Sequence, residues 1–544
     1  MNRRAYVFAL LLLALPRTGS AQAPVQGPAQ ATSPAAAART ISAAGVRGHL
    51  AFLADDLLQG RAPGTNGGRL AARYIASQLT LMGLDAPSGG YRQPVAIDAW
   101  RPDTSRSSIR FIVRNDTIPA RWNRDVIAWA GAPDTLVTLA GDVVFVGYGV
   151  RASEYDWDDY AGRDVRGRIV LILGGDPPTP PNEPGLFEGR ALTYYGRWTY
   201  KLEEARRQGA AGALIVHTDD SAGYPWSVVR SSFGEAQYTL ADRTGEPPPL
   251  RTEGWIPIAT VRTLLQAAGH SLDELLVSAA SRDFVPVNTG ITMRARIAGS
   301  ARRIDAQNVV GIVPGREHAD SFVVYTAHFD HLGIGPAENG DSIYNGAYDN
   351  ASGVAALLEI ARAYRRLEQP PSRSVVFLFT TAEEAGMLGA RQYMRTPAVP
   401  TSRTAAVINI DGANLWGETN DFVLLGAERS PALAAIADAR GAEMNMTRTP
   451  DPAPWLGLFF RSDHYPFAQA GVPAVQLMHG EHYRGRPENW GIEMLARWNA
   501  SSYHLPGDEY DPAMDLRGAV QQARLAFMIG YDVAEQGMNA ATPD

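Results

Sequence analysis

Five short stretches in the second half of the chain gather residue types that hold metals or move protons. His328-Phe329-Asp330 follows the apolar run 322–326, so an imidazole with a carboxylate two residues on closes a strand. At that spacing a carboxylate can hold the imidazole by its second nitrogen, the usual support of a metal-bound histidine. Asp349 stands just before Asn350-Ala351-Ser352-Gly353, where a helix opens. Glu383 and Glu384 follow the apolar run 375–380. Adjacent carboxylates there are unfavourable unless they meet water, a cation or a proton to transfer. Asp411 follows the run 404–409, and His504 precedes Asp508 in Tyr503-His504-Leu505-Pro506-Gly507-Asp508, where Asp508 is placed to orient His504.

Taken singly, each has an ordinary alternative. An Asp before a helix caps it, an Asp in a strand-to-helix turn is common turn chemistry, and a Glu pair is usually solvated. Their joint occurrence points to metal chemistry. The chain has no cysteine, so any metal must be held by His, Asp and Glu, and most of the 10 histidines lie beyond Glu317. His328, Asp349, Glu384, Asp411 and His504 are donors enough for two zinc ions if one carboxylate bridges. Glu383 is then left free as a base.

The elements that must position these residues are also legible. From about Asn308, apolar runs at 309–313, 322–326, 375–380, 404–409, 422–425 and 474–477 alternate with helical patterns at 352–367, near 387–394, 431–440 and 517–534. That alternation predicts an α/β domain with a mixed, largely parallel sheet and helices on both faces. Open sheets of this kind bind ligands beyond the carboxyl ends of their strands, where His328, Glu383, Glu384 and Asp411 fall. Upstream, Val46, Leu50, Leu53, Leu57 and Leu58 recur at helical spacing, as do Ala71, Ile75, Leu79 and Met82, with Gly83 suited to a C-cap. Residues 96–299 instead show short β-rich runs among Pro- and Gly-rich stretches, with one helix at 198–208. They read as a separate β-rich domain inserted between the first helices (41–95) and the catalytic segment (300–535).

The 544 residues suffice for two or three domains. Fifty Lys and Arg against 57 Asp and Glu leave a net charge of -7, which provides no field for nucleic acid. Without cysteine there is no disulfide framework and no thiol nucleophile. Residues 1–21 read as a signal peptide: Arg3 and Arg4, an apolar run at 5–15, then Gly19-Ser20-Ala21 as the cleavage site. Residues 22–40 read as a flexible linker and 536–544 as a tail. The expectation is an exported protein, periplasmic or secreted, with no stable membrane anchor after cleavage.

In this order, Ala327-His328-Phe329-Asp330, Tyr348-Asp349-Asn350-Ala351-Ser352-Gly353, Ala382-Glu383-Glu384-Ala385-Gly386, Asn409-Ile410-Asp411-Gly412 and Tyr503-His504-Leu505-Pro506-Gly507-Asp508 resemble the co-catalytic di-zinc exopeptidases. That family (peptidase clan MH) holds bacterial leucyl aminopeptidases, aminopeptidase S and glutamate carboxypeptidase II. The likeness covers residues 41–84 and 308–534. Trp157-Asp158-Asp159-Tyr160-Ala161-Gly162, Val165-Arg166-Gly167-Arg168-Ile169-Val170-Leu171 and residues 205–216 are similar to a protease-associated (PA) domain, a common insertion at this place.

The resemblance implies roles. Asp349 bridges two Zn2+ per chain, His328 and Asp411 complete one site, Glu384 and His504 the other, and Glu383 is the general base. Asp330 and Asp508 support the ligand imidazoles. Asp463, His464 and Tyr465 line the substrate pocket. The stretch 480–502, with Trp490 and Trp498, departs from the family pattern in being longer than in minimal aminopeptidases, and is expected to form a wall over the site. His331, His464, His479 and His482 match no ligand position and receive no metal role. The implied activity is removal of N-terminal residues from peptide substrates by a hydroxide that the two ions share. The alternatives are a carboxypeptidase or non-peptide amidase on the same site, a glutaminyl-cyclase-like transferase, and an inactive receptor-like binding protein. Arg461, Arg484 and Arg486 are the cations available to a carboxypeptidase.

Overall fold

The computed structural model describes residues 32–234 and 236–538. The signal-peptide reading and most of the 536–544 tail lie outside the described residues. The linker reading needs correction at its end. Ser33 caps a short helix, Pro34–Arg39, whose Ala37 and Ala38 are buried in the main core, and Thr32 bridges to Leu367. Small side chains that read as linker composition here let a helix lie close against the domain.

The half of the chain after residue 308 is built on a mixed sheet. Strand His318–His328 lies at its centre, parallel to Arg373–Thr380 on one side and to Thr404–Asn409 on the other. Ala474–His479 extends the parallel part, and Asp421–Leu425 pairs antiparallel beyond it. The strands are apolar along their whole length because both faces are covered. Helices Ala43–Leu53, Asn66–Met82, Gly353–Tyr364 and Arg517–Gln536 pack into one core on one side. A smaller cluster around Tyr393 and Phe467 covers the other. Gly83 closes the helix Asn66–Met82 with φ 72°, the left-handed cap its position suggested.

The β-rich segment is tied to this sheet by continuous backbone. Strand Val287–Val313 begins within the inserted segment and ends in the catalytic sheet, where Val309 to Val313 pair with Phe379 to Val375. Arg92–Pro102 runs antiparallel beside it, from Arg92↔Val309 to Pro102↔Gly299. The expected border at 96/299 therefore falls within a two-stranded ribbon. The insertion has its own core, from Trp100 to Ile297, around parallel strands Ile169–Leu173, Gly212–His217 and Thr252–Pro257. It also holds more helix than its sequence suggested. Besides Trp198–Arg207 there are Trp226–Phe233, Ile258–Ala268 and Leu272–Ala279. Their sequences are mixed in polarity, and burial against the sheet decides their conformation.

Arg61 joins the first helices to the catalytic sheet. It is fully buried, and its guanidinium donates to the carbonyls of Leu53, Phe329, Asn345 and Gly346. The carbonyls of Phe329, Asn345 and Gly346 lie in the loops that carry His328 and Asp349, and that of Leu53 ends helix Ala43–Leu53. Arg61→Met should lower unfolding stability by about 3 kcal/mol or more, because several buried acceptors lose their donor at once. Urea denaturation followed by circular dichroism measures this, and a change under about 1 kcal/mol would show that Arg61 is not holding these loops.

Candidate metal centre

The parallel register aligns the strand ends. His328 lies opposite Thr380, and Thr326 opposite Asn409, so His328, Glu383, Glu384 and Asp411 emerge at one edge. Asp349 arrives from a loop after Gly346, whose φ is 59° and where a Cβ would stand 2.5 Å from the His331 ring. Asn350 locks that loop to its neighbour. Its Nδ2 donates to the Ile410 carbonyl, and its Oδ1 accepts from Gly353 and Gly412 N–H. Ser352 Oγ accepts from Ala413 N–H and donates to the Tyr348 carbonyl. The spacing of Asp349 and Asp411 is thus set by buried hydrogen bonds.

Around Asp349 the donors form two groups. His328 Nε2 is 3.3 Å from Asp349 Oδ1 and 3.1 Å from Asp411 Oδ1. His504 Nε2 is 3.4 Å from Asp349 Oδ2 and 3.0 Å from Glu384 Oε2. Two donors on a tetrahedral zinc, each at about 2.0–2.1 Å, stand about 3.3 Å apart. The separations therefore suit one cation in each group, with the two oxygens of Asp349 turned to different groups.

The electrostatics agree with this. Burial opposes the charged form of His328, yet Asp411 and Asp349 hold its pKa well above the usual histidine range. His504 is raised in the same way by Glu384 and Asp349. Burial pushes Glu384 up, but His504 and His331 bring it down to about 2. Asp349 likewise falls well below the usual carboxylate range through His328, His504 and His331, against its burial. Glu383 goes the other way: burial, then the nearby Asp411, Asp463 and Glu384, raise it well above an ordinary glutamate. Within one pair of neighbours, burial and nearby charges thus drive the two carboxyls in opposite directions.

Several expected supports take different partners. The Asp330 carboxylate is 3.8 Å from His328 Nδ1, while the Asp330 backbone carbonyl is nearer at 3.2 Å. Asp330 Oδ1 accepts from Glu383 N–H at 3.1 Å, so this residue holds the backbone of Glu383. Asp508 makes no hydrogen bond to His504 among the described residues. Its two oxygens accept from Tyr348 and Asp349 N–H, each at 3.0 Å, and so it holds the backbone at Asp349. The backbone at His504 is left-handed, with φ 56°. Tyr503 stacks on that imidazole with ring centroids 4.0 Å apart.

The pocket expectation is corrected too. A cavity of about 640 Å³ opens at His331, Glu384 and His504 and runs to Trp129, Trp198 and Phe233 of the insertion. Asp463, His464 and Tyr465 do not line it. All are buried: Asp463 accepts the Thr380 hydroxyl behind Glu383, His464 packs on Phe459, and Tyr465 on Tyr194. Trp498, on helix Trp490–Ser501, packs against Tyr348 and Trp416 rather than roofing the cavity.

His331 is the residue that sequence reasoning passed over. It is buried, with Nδ1 2.6 Å from Glu384 Oε1, and it forms a cation-holding group with Asp349 and Glu384. Its Nε2 has no hydrogen-bond partner. The signal was the second imidazole in His328-Phe329-Asp330-His331, directly after the strand.

Residues 308–528 match Peptidase family M28, the group that the five motifs resemble. A probable glutamate carboxypeptidase of Arabidopsis thaliana is 25% identical over 329 residues, 52% of this chain and 45% of that protein. Aminopeptidase YwaD of Bacillus subtilis is 24% identical over 213 residues, 38% of this chain and 40% of that protein. The chain thus spans less than half the length of either relative. The structure of an aminopeptidase from Aneurinibacillus sp. strain AM-1 covers 94% of this chain and 98% of its own with a TM-score of 0.56 at 17% identity, a likeness of fold.

Asp349→Ala should empty both sites, and Glu384→Gln one of them, as counted by elemental analysis after gel filtration. His331→Leu should weaken zinc at the Glu384 site by about 10–100-fold, as expected when the partner of a ligand is lost. Unchanged affinity by competitive chelation would leave His331 without a part in the centre.

Proposed function

We propose that the protein is an exported zinc-dependent aminopeptidase acting on peptides, with two Zn2+ held as the motifs imply. The observation that carries this reading is Asp349, whose two oxygens face two separate donor groups beside the raised carboxyl of Glu383. His328, Asp349 and Asp411 would hold one ion, and Asp349, Glu384 and His504 the other. Zinc so held supplies a Lewis acid for the scissile carbonyl and lowers the pKa of water toward neutrality. Glu383 takes the proton from the attacking water and returns it to the leaving amine. Its burial and neighbouring carboxylates keep its pKa high enough to accept a proton, and Asp330 fixes its backbone.

Asp411 and Glu383 offer negative charge at short range to a free α-amine, which favours the N-terminal end of a peptide. The cavity running into the insertion gives the rest of the substrate a partly aromatic wall, with Trp129 and Phe233 stacked at 5.5 Å. The insertion is read as a PA domain in this role. Among the described residues no helix is long and apolar enough to cross a membrane.

Glu383→Gln should keep both metals and lose about 10²–10⁴-fold in kcat, since an amide carries no proton. Restoration of that variant by excess zinc would mark Glu383 as a ligand instead. Mass spectrometry of an unblocked hexapeptide and its N-acetyl twin tests the direction of trimming. Stepwise N-terminal loss that acetylation blocks is expected, and C-terminal trimming of the acetylated peptide would overturn it.

A further inference from the structure

Tyr348 stands one residue before Asp349, and its ring reaches the loop that carries Asp411. Gly412, the residue after Asp411, has φ 85°, and a Cβ there would stand 2.5 Å from Tyr348 Cζ and 2.6 Å from the Tyr348 hydroxyl oxygen. The tip of the buried ring therefore rests against the Gly412 backbone. One side chain spans both loops: its main chain adjoins Asp349 and its hydroxyl end adjoins Asp411. A tyrosine is rigid along its ring, and among close-packed neighbours it fixes the separation of what it touches.

A histidine holds the tip of that ring. His479 ends strand Ala474–His479 and is buried. Its Nδ1 lies 2.9 Å from the Gly480 carbonyl, which can only accept. The ring proton is therefore assigned to Nδ1, and Nε2 accepts the Tyr348 hydroxyl at 3.1 Å. Burial pushes the His479 pKa below its usual range, in keeping with a neutral imidazole. The Tyr483 hydroxyl donates to Asn414 Oδ1 at 3.2 Å and lies 3.3 Å from His479 Nδ1. Gln522 Nε2 donates to the carbonyls of Gly412 and Leu477, which ties the Asp411 loop to the strand of His479.

Aromatic rings enclose this contact. Trp416 and Trp498 each pack on Tyr348 with centroids 4.8 Å apart. Trp498 belongs to helix Trp490–Ser501, so the stretch expected to wall the site braces this ring instead. Neither Tyr348 nor His479 lines the cavity at His331, Glu384 and His504.

We propose that Tyr348 and His479 are positioning residues that set the distance between Asp349 and Asp411, and with it the fit of the ion those carboxylates share with His328. The proposal rests on the peptidase reading with its two zinc ions. Without the hydroxyl bond the ring is free to shift on Gly412, and the two carboxylates lose their common spacer.

Stepwise zinc binding by the purified protein, measured by competitive chelation, tests this without turnover. Glu384→Gln, which removes one step, assigns the two steps to their sites. Tyr348→Phe keeps the ring and removes the hydroxyl. It should weaken zinc at the His328–Asp411 site by about 10–100-fold, the usual cost of losing a group that orients a metal ligand, and at the Glu384–His504 site by less. His479→Leu should act in the same way, whereas His479→Gln, whose amide oxygen can accept the hydroxyl, should recover most of the affinity. The melting temperature of the metal-free protein is read alongside. A bond that serves stability alone would lower that temperature and leave both zinc affinities unchanged, and this result in Tyr348→Phe overturns the proposal. Equal weakening of the two sites overturns it as well. If His479→Leu does not fold, Tyr348→Phe decides the matter by itself, since it preserves the shape of the native ring. A native protein that binds zinc at neither site would overturn the peptidase reading and this proposal with it.

Discussion

Mutual repulsion among buried and half-buried carboxylates is the constraint around which the half of the chain after residue 308 is built. Asp330, Asp349, Glu383, Glu384, Asp411, Asp463 and Asp508 converge at one edge of the sheet, in surroundings that weaken solvent screening. Such a cluster persists only if cations or shared protons offset it. The protein supplies each in a different place. His328 and His504 stand between the oxygens where metal ions would sit, Arg61 lies buried among the loops beneath, and Asp330 and Asp463 are raised to about 7 chiefly by burial.

The backbone bears much of the cost of holding these groups apart. Asp508 accepts from two consecutive N–H groups before and at Asp349, while Asn350 and Ser352 bind the loop after Asp411. A carboxylate that must present both oxygens outward cannot also be held by its own side chain. It is therefore fixed through its main chain, and the residues that do this are themselves buried and polar. Asp330 illustrates the economy of the arrangement, since its carbonyl faces one catalytic side chain and its carboxylate anchors the backbone of another.

The insertion is joined to this centre by strands rather than by a hinge. Val287–Val313 and Arg92–Pro102 carry backbone hydrogen bonds from one sheet region into the other. A connection of that kind resists bending along the ribbon. It keeps Trp129, Trp198 and Phe233 facing His504 and Glu384 across a shared cavity. The aromatic wall and the metal centre therefore face each other with little need for closure.

What the sequence by itself determined was local. Apolar runs ending in His328, Glu383 and Asp411 announced the strands and the edge that carries chemistry, because strand burial and strand direction are written in consecutive residues. The donors His328, Asp349, Glu384, Asp411 and His504 were legible as types, with the absence of cysteine narrowing the choice. Partnership was decided only by the tertiary structure. Asp508 turned to Asp349 rather than to its near neighbour His504, and His331 met Glu384. Arg61 settled beneath loops almost three hundred residues away, and Asp463, His464 and Tyr465 sank into the core. A hydrogen bond or ion pair depends on where two distant backbones cross and which way each side chain leaves them. Spacing along the chain carries no information about that crossing, and the packing of helices and strands supplies it.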